Sequence, residues 1–443
     1  MPLIITLIGI LLLLVLISYF KWNPFVTLIV TSVFVGVTSG MPLLEVVDSI
    51  KEGLGSTLGL IAIVLAFGTM IGKMMAESGG AEVIAQALIK RFGLKNVHWA
   101  MMFVGFLVGI PVFFQVGFVL LIPLVFTIAL KTGMNIMKIG APLLAGLLTV
   151  HGMVPPHPAV MAGVEIYHAN VGLTILYAIL IGFPTAIIAG PLYTNWLTKR
   201  IHPIPPENLA KELVQENSDR ALPGLTITLL TVLLPVILML GQTITEVTLV
   251  ETNQLRLIFG FLGNPIISLG IAAIFSFFSL GYARGFSKDN ILKFTNDCVA
   301  PTANILLVIG AGGAFNRVII NSGTGDYIAK LATGADISPI LLGFLIALLI
   351  RIATGSATVG MMASAGIVAP IVATMPNAPS PELLVLATGA GSLAMAHFND
   401  AGFWMIKEYF NLTVKETLIT WTGINTIVGF TAYGFILILS IFV

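Results

Sequence analysis

Two short stretches hold the side chains best suited to chemistry. Residues 151–160 read HGMVPPHPAV and residues 397–404 read HFNDAGFW. The first sets His151 and His157 among Pro155, Pro156 and Pro158; the second sets His397, Asn399 and Asp400 before Gly402. Both lie in apolar surroundings, so their ionisable groups would sit at membrane depth, where such groups are costly and mark function. Proline inside a helix removes a hydrogen bond and clashes with the preceding turn, so HGMVPPHPAV predicts a broken helix. Asp400, the acidic residue well inside a second-half apolar segment, suits a group that picks up and releases a proton. His151, His157 and His397 titrate near neutrality and could share that role; each could equally be a polar residue satisfied by nearby carbonyls.

Two further stretches offer breaks with small or polar residues. GIPVFFQVG (109–117) supplies Gln115, and RIATGSATVG (351–360) supplies Arg351, Thr354, Ser356 and Thr358. Helix N-termini meeting at such a tip present free N–H groups and positive dipole ends, a seat for a carboxylate. The small residues would let a ligand approach the backbone closely, although they could also serve helix packing. Lys73 and Arg317 could snorkel or fix the fold, and Glu77 and Glu165 sit near segment ends.

The elements that must carry these residues are membrane helices. Hydrophobic residues make up 57% of the 443 and charged residues 9%, against about 25% charged in soluble domains; mean hydropathy is +1.03. The single cysteine, Cys298, rules out a disulfide framework and a Cys-based metal site. A net charge of +1 suggests no nucleic-acid partner. No Walker A, HExxH or GxSxG sequence occurs, so neither an enzyme nor a cofactor is expected, and two His six residues apart among prolines do not specify a metal. GAGGAF (310–315) follows a membrane helix rather than a strand, which leaves packing or helix breakage as its better reading. The opening MPLIITLIGILLLLVLISYFKW lacks a basic n-region and a cleavage site and reads as a retained first helix.

The chain also resembles itself. NPFVTLIVTSVFVGVTSG (23–40) matches NPIISLGIAAIFSFFSLG (264–281), KMMAESGGAEVIA (73–85) matches RVIINSGTGDYIA (317–329), and AGLLTVH (145–151) matches AGSLAMAH (390–397), in order and at nearly constant offset. Hydropathy places first-half spans at 2–20, 24–40, 57–77, 138–165 and 171–198, with a stretch 97–131 broken at GIPVFFQVG. Second-half spans fall at 225–241, 255–281, 303–321, 383–409 and 416–442, with a stretch 338–375 broken at RIATGSATVG. Reading each broken stretch as a re-entrant hairpin gives five crossings per half. Five is odd, so the halves would be inverted, an architecture of secondary transporters. The expected fold is thus an all-α polytopic membrane protein of two inverted repeats, 1–200 and 224–443. Each would carry a hairpin and a broken helix, and a cytoplasmic linker, 201–223, would join them. With that linker inside, 15 of the 21 Lys and Arg fall on inside segments and 3 on outside ones, in keeping with the positive-inside rule. Nothing in the polar linker suggests a nucleotide-binding domain.

HGMVPPHP (151–158), VIGAGGAF (308–315), GSATVG (355–360) and H-x-NDAGFW (397–404) together resemble the gluconate permease family of bacterial proton symporters, over nearly the whole length. The resemblance implies an inner-membrane, proton-coupled carrier of gluconate or a related sugar acid (fructuronate, idonate, glycerate and D-serine are the family's other cargoes). It also implies a homodimer with scaffold and transport parts. On that footing Ser356, Thr358 and the tip N–H groups are expected to hold the substrate carboxylate, with Gln115, His151 and Asn399 on its hydroxyls. Asp400 would carry the proton, with the histidines as second choices. A sodium-coupled carboxylate carrier and a passive anion pore are the rival readings.

Overall fold

A computed structural model describes residues 2–204, 222–299, 302–323, 338–373, 375, 378–397 and 399–443. The predicted linker lies mostly outside them. All regular elements among the described residues are helical. Eight helices are long and apolar enough to cross a membrane, and four shorter apolar helices accompany them. The apolar stretches break where the sequence predicts. Val97–Gly109 stops before Phe114–Thr132, and Pro339–Thr354 stops at Gly355, before Ala357–Ala373. The arms of the first pair are unequal, 13 and 19 residues, or about 20 and 28 Å at 1.5 Å per residue.

The internal matches fall on like local structures. Asn23 and Asn264 each cap a helix with Pro at its first turn; their side chains accept from Phe25 N at 2.9 Å and Ile266 N at 3.0 Å. Asn is among the best N-cap residues and Pro suits the first helical position. Gly79 and Gly323, which meet in the second match, both take the left-handed conformation that ends a helix.

Three spans differ clearly from their predicted extent, and the one predicted at 225–241 runs on to Thr248. The helix predicted at 57–77 begins far earlier and runs Leu43–Ser78, 36 residues, because the polar residues of its first third (Glu45, Asp48, Lys51) sit on an exposed side without interrupting it. The span predicted at 255–281 is two helices, Gln254–Leu262 and Pro265–Ser276. Pro265, with Asn264 as cap, starts a new helix there rather than extending the old one.

Helix Met137–Met153 and its continuation Pro158–Tyr167 form the centre. Of their apolar window 89% is buried, against 33–56% in the other seven spans. Helix Pro381–Leu393 lies against this centre. A Cβ on Gly389 would come within 2.3 Å of the Gly152 carbonyl oxygen, so the two backbones touch. Small residues are what membrane helices use for such contact. The contact sits next to both breaks and brings them together.

Candidate functional site

Each break is built by local sequence. After Met153 the chain turns extended at Val154 (φ −102°, ψ 119°), and a helix restarts at Pro158 with His157 as its cap residue; the Pro155–Pro156 bond is cis. After Leu393 the chain turns extended at Ala394 and restarts at Ala401. Asp400 caps that helix, its Oδ1 accepting from Gly402 N at 2.9 Å. A carboxylate there satisfies an orphan N–H and faces the positive dipole end.

The two breaks and the two tips surround one cavity of about 440 Å³, in the range of small-molecule sites. Gln115, His151, His157, Ser356, Thr358, Asn399 and Asp400 all line it, so seven of the predicted residues from four separate stretches meet. His397 is not among the lining residues. Its Nε2 lies 2.9 Å from the Ile352 carbonyl oxygen, at the end of the Pro339–Thr354 helix, where Asn399 Nδ2 also donates at 2.8 Å. His397 therefore links the tip to the break.

The cavity wall has two characters. On the first-half side it is aromatic. The rings of His151 and His157 lie 4.0 Å apart, with Phe113 5.3 Å from His157 and Phe114 6.2 Å from His151. On the second-half side it is ionic. Arg351 Nη2 donates to Asp400 Oδ2 at 2.7 Å, and the Arg351 side chain is only 4% exposed. Trp421 Nε1 donates to the same oxygen at 2.9 Å, and Arg351 Nη1 donates to the Gly355 carbonyl. Gly355 has φ +73°, and a Cβ there would meet the Asn399 carbonyl oxygen at 2.2 Å. Only glycine fits both the turn and the close approach.

Several buried polar atoms here have no hydrogen-bond partner among the described residues: His151 Nδ1, both ring nitrogens of His157, Arg351 Nε and Asn399 Oδ1. Buried polar groups are normally paired, and all of these belong to residues that line the cavity. Ser356 is partly committed, since its Oγ accepts from Val359 N at 3.3 Å.

A model of the GntP family permeases matches residues 1–442. The chain belongs to this family. A gluconate permease of Pseudomonas aeruginosa is 48% identical over 438 residues, covering 99% of this chain and 96% of that relative. The Gnt-II system L-idonate transporter of Escherichia coli K12 is 44% identical, covering 97% of each. The D-serine transporter DsdX of the same bacterium is 39% identical, covering 98% of this chain and 97% of the relative. Among solved structures, the Alcanivorax borkumensis YdaH transporter matches with a TM-score of 0.63 at 15% identity, covering 95% of this chain and 99% of that one. Neisseria gonorrhoeae MtrF matches with 0.67 at 13%, covering 95% and 96%; at such identities the likeness speaks to fold alone. The permease is accordingly a multi-pass inner-membrane transporter and not an enzyme.

The sequence reading names Arg351 at the tip without giving it a role and does not single out Trp421. A buried arginine in an apolar helix needs a counter-ion, and a search for one among the intramembrane carboxylates of the same half would have reached Asp400. Trp421 carried no such signal. It sits in the π-helical turn Leu418–Thr422, held on one side by Tyr193 Oη, which donates to the Ile419 carbonyl at 2.7 Å.

Proposed function

We propose that this permease takes up gluconate or a closely related sugar acid together with protons. The observation that carries the reading is the single cavity at which both broken helices and both tips meet, with a buried carboxylate in its wall. Ser356, Thr358 and the N–H groups opening the Ala357–Ala373 helix receive the substrate carboxylate. Gln115, His151 and the unpaired Asn399 Oδ1 hydrogen-bond its hydroxyls. Asp400 takes the proton, and His157, whose ring backs His151, is the alternate carrier. The names of the relatives support a small hydroxylated molecule with a carboxylate as cargo.

The architecture fits alternating access. We read the two halves as inverted repeats, with the segments 97–132 and 339–373 as re-entrant hairpins closing the cavity from opposite sides, the linker cytoplasmic and the permease a homodimer. The like caps at Asn23 and Asn264 and the like breaks support this. A carrier of another small carboxylate, a sodium-coupled carrier and a passive anion pore are the readings to test against.

Uptake of radiolabelled gluconate into proteoliposomes, with the lumen alkaline and no sodium present, separates them. Accumulation above equilibrium is expected. Accumulation only with sodium would replace the coupling ion, equilibration without accumulation would make the protein a pore, and accumulation of a different acid alone would replace the substrate.

A further inference from the structure

Arg351 has no part in the reading above, yet it is the hardest residue of the cavity to keep in a membrane. We propose that Arg351 joins Ser356, Thr358 and the helix N–H groups in receiving the substrate carboxylate, and that Asp400 occupies the Arg351 guanidinium until a proton releases it. The inference rests on the proton-coupled reading and deepens it.

The guanidinium is held but not saturated. One terminal nitrogen donates to Asp400, the other to the Gly355 carbonyl, and Nε, though buried, has no partner among the described residues. A planar fork of donors matches a carboxylate in two-pronged geometry. Asp400 in turn spends every contact on its charged form. Oδ2 accepts from Arg351 and Trp421, and Oδ1 accepts from Gly402 N. A proton on Oδ2 would point an O–H at two donors, so protonation undoes this arrangement instead of merely neutralising it.

A buried charge stripped of its partner is strongly unfavourable. The ionisable residues lining the cavity are Arg351, Asp400, His151 and His157. His151 lies within electrostatic reach of both Arg351 and Asp400, and the His157 ring stands behind it. Neither histidine offers an anion, so an arriving carboxylate is the replacement counter-ion. Adding that anion to the charged Arg351–Asp400 pair would leave one net negative charge in a poorly hydrated site. Adding it with a proton leaves none. Proton and anion thus enter together, one of each through this pair. No covalent bond changes except the O–H formed on Asp400, and the Arg351–Asp400 contact gives way to an Arg351–substrate contact.

The test is equilibrium binding of gluconate and of its neutral amide, gluconamide, to purified protein at pH 6 and pH 8. The proteins are wild type, Asp400→Asn and the double variant Arg351→Gln/Asp400→Asn. The double variant buries no lone charge, and a thermal melt checks its fold. Wild-type affinity for gluconate should fall as pH rises, by at most about tenfold per pH unit for one linked proton. Asp400→Asn should bind gluconate with little pH dependence. The double variant should bind gluconate about 100-fold more weakly than Asp400→Asn and lose the preference for gluconate over the amide. A folded double variant that keeps that preference overturns the role of Arg351. Persistent pH dependence in Asp400→Asn overturns the release by protonation. If wild type binds a different acid, the gluconate reading fails, and the same comparison with that acid and its amide decides for or against Arg351.

Discussion

The two helix breaks occupy matching places in the halves of the chain and have opposite chemistry. Both turn the backbone extended after a helix, at Val154 and at Ala394, and both restart a helix within a few residues. At the first, Pro158 restarts it without a side-chain cap and the surrounding side chains are rings. At the second, Asp400 is the cap, and its charge is shared with Arg351 and Trp421. The shape of a break is a backbone matter, set by Pro, Gly and a cap. The chemistry at a break is a side-chain matter. The comparison suggests a division of labour, with one wall meeting hydroxyls and the other handling charge.

The largest effect should come from unbalancing the ionic wall. Arg351→Gln alone strands Asp400, and stability should drop by about 3–5 kcal/mol. Arg351→Gln/Asp400→Asn should recover most of it, measured by thermal unfolding in detergent. If the single variant is as stable as the double, the pair is not the charge site the comparison requires. Gly355→Ala should come next. It combines a left-handed φ with a Cβ at 2.2 Å from the Asn399 carbonyl oxygen, whereas Gly133, also left-handed (φ +67°), has open space around its Cβ position. Gly133→Ala should cost only about 1 kcal/mol, and Gly355→Ala clearly more, with loss of transport. Equal costs would mean that the close approach at the ionic wall is unimportant.

On the ring-lined wall, His157→Phe should leave stability nearly unchanged, because neither ring nitrogen is paired within the described residues and Phe113 packs beside it. Transport should still fall about tenfold, the worth of one good hydrogen bond or so. Unchanged transport would reduce His157 to packing. On the ionic wall a smaller effect than that of Arg351→Gln is expected for Trp421→Phe, which removes one donor of the three on Asp400 and should cost about 1–2 kcal/mol by the same thermal measurement. A cost matching that of Arg351→Gln would make the indole, not the guanidinium, the main support of the carboxylate.

The sequence made the breaks legible because Pro155, Pro156, Pro158 and Gly355 act locally, through their own backbones. It made most of the cavity legible because polar residues in apolar stretches have few other places to go. His397 falls outside the cavity lining for a physical reason. It lies three residues before Asp400 in non-helical chain, where no regular period says which way a side chain points. The Arg351–Asp400 contact joins residues 49 apart, which no local pattern encodes. Trp421 was hidden by its π-helical turn, since an extra residue in a turn shifts every later position off the 3.6-residue pattern. The long first segment of Leu43–Ser78 was missed because hydropathy marks only the part of a helix that is apolar enough to span.

In the proposed cycle Asp400 is the point where the proton couples. The direct test is gluconate transport by Asp400→Asn in proteoliposomes, with pH-gradient-driven uptake and gluconate–gluconate counterflow measured side by side. Gradient-driven accumulation should be lost while counterflow survives. Accumulation that persists under the pH gradient would contradict that role for Asp400.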